Sequence, residues 1–242
     1  MGGSRSFYFR ESIDSLVRAR WVAPYLLVPP MLAFMVFAES YLSSHGVTGD
    51  FTLGQRTVLA IWNASILLTL IAGVKSCLFF SNLWGSRWFR NSLALPVSRA
   101  SGYWGPFLAV LCISVSMFIL ATGAVMLALP DVGRFPWIQV LAGSCAPVIW
   151  AVSMGALLGM LTTGAAASIL FTTIMLVGFL AGIVVNPLMP GWVLYVLPPV
   201  GRIMTLSLVF PQGLQQAVLL LVHSFIALLA GRFLYGMGIS RR

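Results

Sequence analysis

Charge is what this sequence has least of. Of 242 residues only 8% are Asp, Glu, Lys or Arg, while 60% are apolar; soluble domains carry about 25% charge. A folded core cannot absorb that excess, because the surface of a soluble protein must still be wetted. The composition therefore excludes an ordinary soluble domain and makes lipid the solvent for most of the chain. Acids are scarcer still: the five Asp and Glu, like the two histidines, are scattered along the chain. They form no local cluster with the spacing of a zinc site, and the grouped carboxylates that hold divalent cations in phosphate-ester chemistry are missing. The single lysine, Lys75, follows Val74 rather than a glycine. Without a Gly-x-x-x-x-Gly-Lys-Ser/Thr phosphate loop the chain is not expected to be an ATPase by itself, nor to bind a cofactor or metal. The three cysteines, Cys77, Cys112 and Cys145, all fall in apolar runs, and an odd number there is no disulfide framework.

Long apolar runs are what the sequence does have. A helix needs roughly 20 mainly apolar residues to cross a bilayer core, and six stretches qualify: 22–42, 57–79, 106–129, 137–161, 165–186 and 214–235. The expected fold is all-α, a single polytopic membrane domain over 1–242 with six transmembrane helices. Val36-Phe37-Ala38 has the small-residue spacing of a signal-peptide cleavage site. The long charged leader and Pro24, Pro29 and Pro30 argue instead for a retained first span.

The chain has 14 basic residues to 5 acidic, net +9. In a soluble protein that would raise nucleic acid as a partner; here it sorts by side. With the N-terminus cytoplasmic, Arg5, Arg10, Arg18, Arg20, Lys75, Arg87, Arg90, Arg99, Arg232, Arg241 and Arg242 fall inside, and Arg56, Arg134 and Arg202 outside. Glu39, Asp50 and Asp131 balance the external three, so the whole excess is cytoplasmic, as the positive-inside rule requires. Both termini are expected in the cytoplasm. The stretch 187–213 holds Pro187, Pro190, Pro198 and Pro199, and its apolar runs Trp192–Val200 and Ile203–Phe210 are each too short to cross. It is expected to form external re-entrant or interfacial segments.

Two cytoplasmic segments are amphipathic. In 6–21, Phe9, Ile13, Leu16, Val17 and Trp21 fit one face of a helix, with Arg10, Asp14 and Arg18 at i, i+4 on another. This predicts an interfacial helix ahead of the first span, serving as an anchor or as an elbow against the bundle. In 80–105, Phe80, Trp84 and Trp88 recur at i, i+4, i+8, Arg87 and Arg90 lie a turn apart, and Pro96 ends any helix. A short helix at 83–95, parallel to the membrane, is expected; its basic and aromatic residues would serve as a membrane anchor on physical grounds alone.

Inside the spans, Ala151, Gly155 and Gly159 make a small-residue stripe on the fourth, and Gly178 with Gly182 repeats it on the fifth. Such stripes let helix backbones approach closely, within one chain or between two. A charge at the bilayer centre is costly. Lys75, near the inner end of its span, is expected to snorkel or to meet substrate or the coupling helix, and His223 to hydrogen-bond a neighbouring helix or line a pathway.

The run Leu93-Ala94-Leu95-Pro96-Val97-Ser98-Arg99, followed by Tyr103-Trp104-Gly105, resembles the segment after the second span in type-2 permeases of ATP-binding-cassette transporters. The layout is similar too: an N-terminal interfacial helix, six spans, and a proline-rich external segment before the last. The chain departs from the family in having no acid across Ser81–Trp88. The resemblance implies that 83–99 is a coupling region docking on a separate nucleotide-binding subunit, with Trp84, Arg87, Trp88, Arg90, Leu93, Leu95, Pro96, Val97, Ser98 and Arg99 as contact residues. It further implies an ATPase dimer carrying ATP-Mg, a second permease chain, identical or homologous, location in a bacterial cytoplasmic (inner) membrane, and export of amphipathic, lipid-linked, drug or peptide cargo. A non-transporting scaffold or assembly factor, a passive channel or secondary carrier, and a membrane enzyme are the competing readings of the same composition.

Overall fold

The computed structural model describes residues 3–18, 23–27, 30, 34, 37–38, 41, 44–45, 53–86, 99–128, 137–183 and 212–236. Among these it is all-helical. Six α-helices follow in order: α1 (Gly3–Arg18), α2 (Leu53–Gly85), α3 (Arg99–Ala128), α4 (Trp137–Leu161), α5 (Gly164–Ile183) and α6 (Gln212–Gly236), with a 3₁₀ segment at Ala23–Leu27. Three stretches, Ile66–Gly85, Ala100–Leu120 and Ala217–Gly236, are long and apolar enough to cross a membrane, and Cys145–Leu161 and Gly164–Gly178 are shorter apolar helices. This is the build of an integral membrane protein.

Side-chain contacts give the helix directions. Gly155 of α4 faces Ser76 and Gly159 faces Cys77, Phe80 and Ser81, so α2 and α4 run parallel. Gly164, at the start of α5, meets Leu78, and Phe171, two turns on, covers Gly73, so α5 runs the other way. Tyr103, at the start of α3, meets Trp84 at the end of α2 and Tyr235 at the end of α6. The ends of α2, α4 and α6 and the starts of α3 and α5 therefore share one end of the bundle, called the near end below. Ile183 and Gln212 lie at the opposite, far end. The expected external segment 187–213 lies outside the described residues as far as Pro211, and its last two residues, Gln212 and Gly213, already belong to α6.

α4 is the centre. It packs against α2 and α6 most extensively, and also against α3 and α5. Ala146, Val148, Trp150, Ala151, Val152 and Ala156 are all buried, so the helix is covered on nearly every side, as expected of one that is apolar all round. α5 covers α2 with Ala167, Phe171 and Met175, buried at i, i+4, i+8, and leaves Ile169, Leu176 and Leu180 facing outward. α4 and α5 are joined by a two-residue turn. Thr163 caps α5: its carbonyl accepts from Ala167 N (2.8 Å) and its hydroxyl from Ala166 N (3.5 Å).

α1 packs along α3. Its buried face is Tyr8, Ser12 and Leu16, while Val17 is exposed. That corrects the expected apolar face by one position: Phe9 and Ile13 sit at its edge, and Arg10, Glu11 and Asp14 point outward. Tyr8 and Phe9 come against Gly105, where an added Cβ would stand 2.8 Å from the Tyr8 Cβ.

α2 begins at Leu53, four residues before the expected start, and three further boundaries differ more in kind or extent. α2 continues through Gly85, so Leu83 and Trp84 belong to it rather than to a separate helix starting at 83. α3 begins at Arg99, seven residues before the expected start, with Pro106 inside it; a proline is tolerated in a membrane helix when neighbours satisfy the freed carbonyl. Ala23–Leu27, expected to begin the first span, is 3₁₀. Beyond it, Pro30, Phe34, Phe37, Ala38, Tyr41 and Ser44 are helical, and Phe34 and Phe37 are exposed.

Candidate functional site

The near end is where the chemistry-bearing side chains gather. α2 delivers Phe80 and Trp84, α3 delivers Tyr103, Trp104 and Phe107, and α6 delivers Tyr235. Phe80 and Trp84 stack at 4.9 Å between centroids, and Trp84 lies parallel to Tyr103 at 6.2 Å with 3° between planes. Tyr235 closes the triangle, 6.4 Å from Trp84 and 5.8 Å from Tyr103. Trp104 stands edge-on to both Tyr103 and Phe107. Tyr103 and Trp84 are only 1% and 6% exposed, so the cluster is interior to the bundle. Aromatic pairs in such offset or tilted arrangements contribute about 0.5–1.5 kcal/mol each beyond their burial.

A hydrogen bond ties the cluster to α6. The Tyr103 hydroxyl donates to the carbonyl of Leu228 at 3.1 Å. Gly231 makes the approach feasible, since a Cβ there would stand 2.6 Å from the Tyr103 oxygen. α2 is closed off locally by Ser86, whose amide and hydroxyl both donate to Leu83 O, at 3.1 and 2.7 Å. Across the near end, Ser81 Oγ donates to Thr162 O at 3.4 Å, joining α2 to the turn between α4 and α5.

Of the expected coupling residues, Trp84 lies in this cluster as part of α2 and faces inward. Arg99 opens α3. Arg87, Trp88, Arg90, Leu93, Leu95, Pro96, Val97 and Ser98 lie outside the described residues. The segment that carries them runs from the end of α2 to the start of α3, so both its attachment points are in the near-end cluster.

In the small-residue stripe Gly155 and Gly159 face α2 within the same chain, and Ala151 is buried. Gly178 is buried on α5, and Gly182 lies in its last turn. Lys75 is half-buried on α2, and its neighbour Val74 lines a shallow open groove with Ser168, Ile169, Thr172, Thr173 and Leu176 of α5. The hydroxyls of Ser168, Thr172 and Thr173 donate to the carbonyls four residues back, at 2.7, 2.8 and 3.0 Å, leaving that groove with acceptors only. His223 is half-buried on α6, and its Nδ1 is buried with no hydrogen-bond partner among the described residues. Lys75 and His223 occupy different helices, both packed on α4.

Sequence reasoning does not single out Gly73, Phe171 or Gly231, and marks Tyr103 only as part of the run Tyr103-Trp104-Gly105, not as an interhelical contact. Each is half of a pair whose partner lies on a helix distant in sequence, and periodicity within one span carries no mark of such a partner. Among the described residues no three His, Cys, Asp or Glu side chains come together. Among the described residues the near-end cluster offers ring stacking and the Tyr103–Leu228 hydrogen bond between α3 and α6. No family model, curated protein or solved structure matches the chain.

Proposed function

We propose that this chain is the transmembrane subunit of an ATP-driven exporter, with six spans, powered by a separate nucleotide-binding subunit and working with a second permease chain. The observation that carries the reading is the near-end convergence. The region 83–99, taken as the coupling region because Leu93–Arg99 resembles type-2 permeases, connects α2 to α3, and Trp84, Tyr103 and Tyr235 bring the ends of those helices together with α6. A displacement of that segment by a docked ATPase loads three helices at once. On the positive-inside rule the near end faces the cytoplasm in this reading, the side on which ATP is available, and the proline-rich stretch 187–213 faces outward.

In this mechanism the ATPase pair closes on ATP, the 83–99 region moves, and the helices anchored in the aromatic cluster change access to a path between two permease chains. Cargo that enters from lipid, amphipathic or lipid-linked, suits a bundle with exposed apolar faces on α5 and α6.

Copurification tests the proposal. The tagged chain extracted from native membranes is expected to bring down an ATPase subunit and to stimulate or restrain its ATP turnover. Reversing the charges of Arg87 and Arg90 to Glu is expected to release that subunit without loss of the folded permease. Isolation of the intact chain with no ATPase attached overturns the reading.

A further inference from the structure

The helices divide into two mechanical groups. α2, α4, α5 and α6 are bound together along α4, with glycines at the α2–α4 contact; α3 shares its longest face with α1, a shorter one with α4, and touches α2 and α6 only over small areas. The α1–α3 pair is itself tight, with Gly105 seated against Tyr8. One of the small contacts between the groups is Tyr103, whose hydroxyl reaches the backbone carbonyl of Leu228 on α6.

We propose that Tyr103 is a latch that holds the α1–α3 pair against α6 at the near end, and that the pair swings along its contact with α4 when the latch opens. Three features make the contact releasable. Leu228 O belongs to α6 and also serves Arg232 N in the ordinary helical pattern, so losing Tyr103 leaves the carbonyl satisfied. The hydroxyl approaches over Gly231, so its withdrawal displaces no side chain from α6. The ring meets Trp84 with parallel planes at 6.2 Å and Tyr235 at a tilt at 5.8 Å, a geometry that a shift within the ring plane largely preserves. An interhelical hydrogen bond of this kind in a membrane shifts an equilibrium by roughly threefold on average, strong enough to bias two arrangements and weak enough to open. The latch does not depend on the exporter reading.

The test is a pair of spin-label distances on the full chain in lipid nanodiscs, with Cys77→Ala and Cys145→Ala. One pair spans the groups, native Cys112 on α3 with Val222→Cys on α6; the other stays within one group, Leu176→Cys on α5 with Val222→Cys, in a Cys112→Ala background. All these label sites are exposed. Tyr103→Phe is expected to move the Cys112 pair toward a second distance, raising that population roughly threefold, and Gly231→Ala, whose methyl displaces the hydroxyl, is expected to do the same. The Leu176 pair is expected to stay unchanged in both variants. An unchanged Cys112 pair in both variants overturns the latch, as does equal broadening of the two pairs, which would mean that the substitutions merely loosen the bundle.

Discussion

Gly159 brings α4 so close to α2 that a Cβ at this position would stand 2.7 Å from the carbonyl oxygen of Cys77. Four residues earlier, Gly155 repeats the contact against Ser76 and the carbonyl of Gly73. Lipid drives helices together weakly, so close backbone approach and its dispersion energy hold such a pair. Gly155→Ala and Gly159→Ala are expected to lower stability by about 1–3 kcal/mol each, the usual cost of overpacking, and Leu at both positions to abolish the folded protein. Thermal unfolding in detergent, followed by size-exclusion chromatography, reads this directly. Unshifted midpoints in the alanine variants would show that the two helices do not pack this way.

Gly73 and Phe171 form the corresponding pair between α2 and α5, since the Phe171 ring fills the space a Gly73 side chain would need. Phe171→Ala is expected to cost about 3–5 kcal/mol, as for other buried rings, and Gly73→Ala to be destabilising through collision with the ring. The double variant is expected to be more stable than the sum of the two, because the new methyl enters the space that the ring vacates. Additive costs in a double-mutant cycle would dissociate the two residues.

Trp84 offers a test of the near-end cluster that requires no partner protein. Trp84→Ala removes stacking on Phe80 and Tyr103 and the contact with Tyr235, and is expected to destabilise by about 3–5 kcal/mol. Trp84→Phe keeps part of the stacking and is expected to recover at least half of that loss. If denaturant midpoints for the two variants coincide with that of the parent protein, Trp84 is not in the core.

Helix direction gives a prediction of sidedness. α5 leaves the near end at Gly164 and α6 returns to it at Tyr235. In a cysteine-free background, Met189→Cys is therefore expected to react with an impermeant maleimide from the face opposite to the one on which Arg242→Cys reacts. Labelling of both from one face would require an extra crossing between α5 and α6.

Much of this architecture is legible in the residues. The expected 137–161 coincides with α4, and the expected 165–186 and 214–235 lie within three residues of α5 and α6 at each end, because an apolar run of membrane length has only one regular way to satisfy its backbone in lipid. The start of α3 is less legible. Pro106 reads as a helix beginning, whereas the turn ahead of it is held by Tyr103 and Gly105 against α6 and α1. Trp84 is ambiguous for another reason: Phe80 and Trp84 recur at i, i+4 whether α2 continues or a new helix begins along the membrane surface.

Hydropathy and charge are enough to assign lipid as the solvent, to locate most of the apolar helices and to favour one orientation. Packing alone reveals that α4 is the centre, that Gly155 and Gly159 face α2, that α1 turns Tyr8, Ser12 and Leu16 inward, and that Trp84, Tyr103 and Tyr235 meet. In water, hydropathy marks the buried face of a helix. In lipid both the packed and the exposed faces are apolar, so which face is packed depends on the fit of one helix surface to another, visible only when the helices are together.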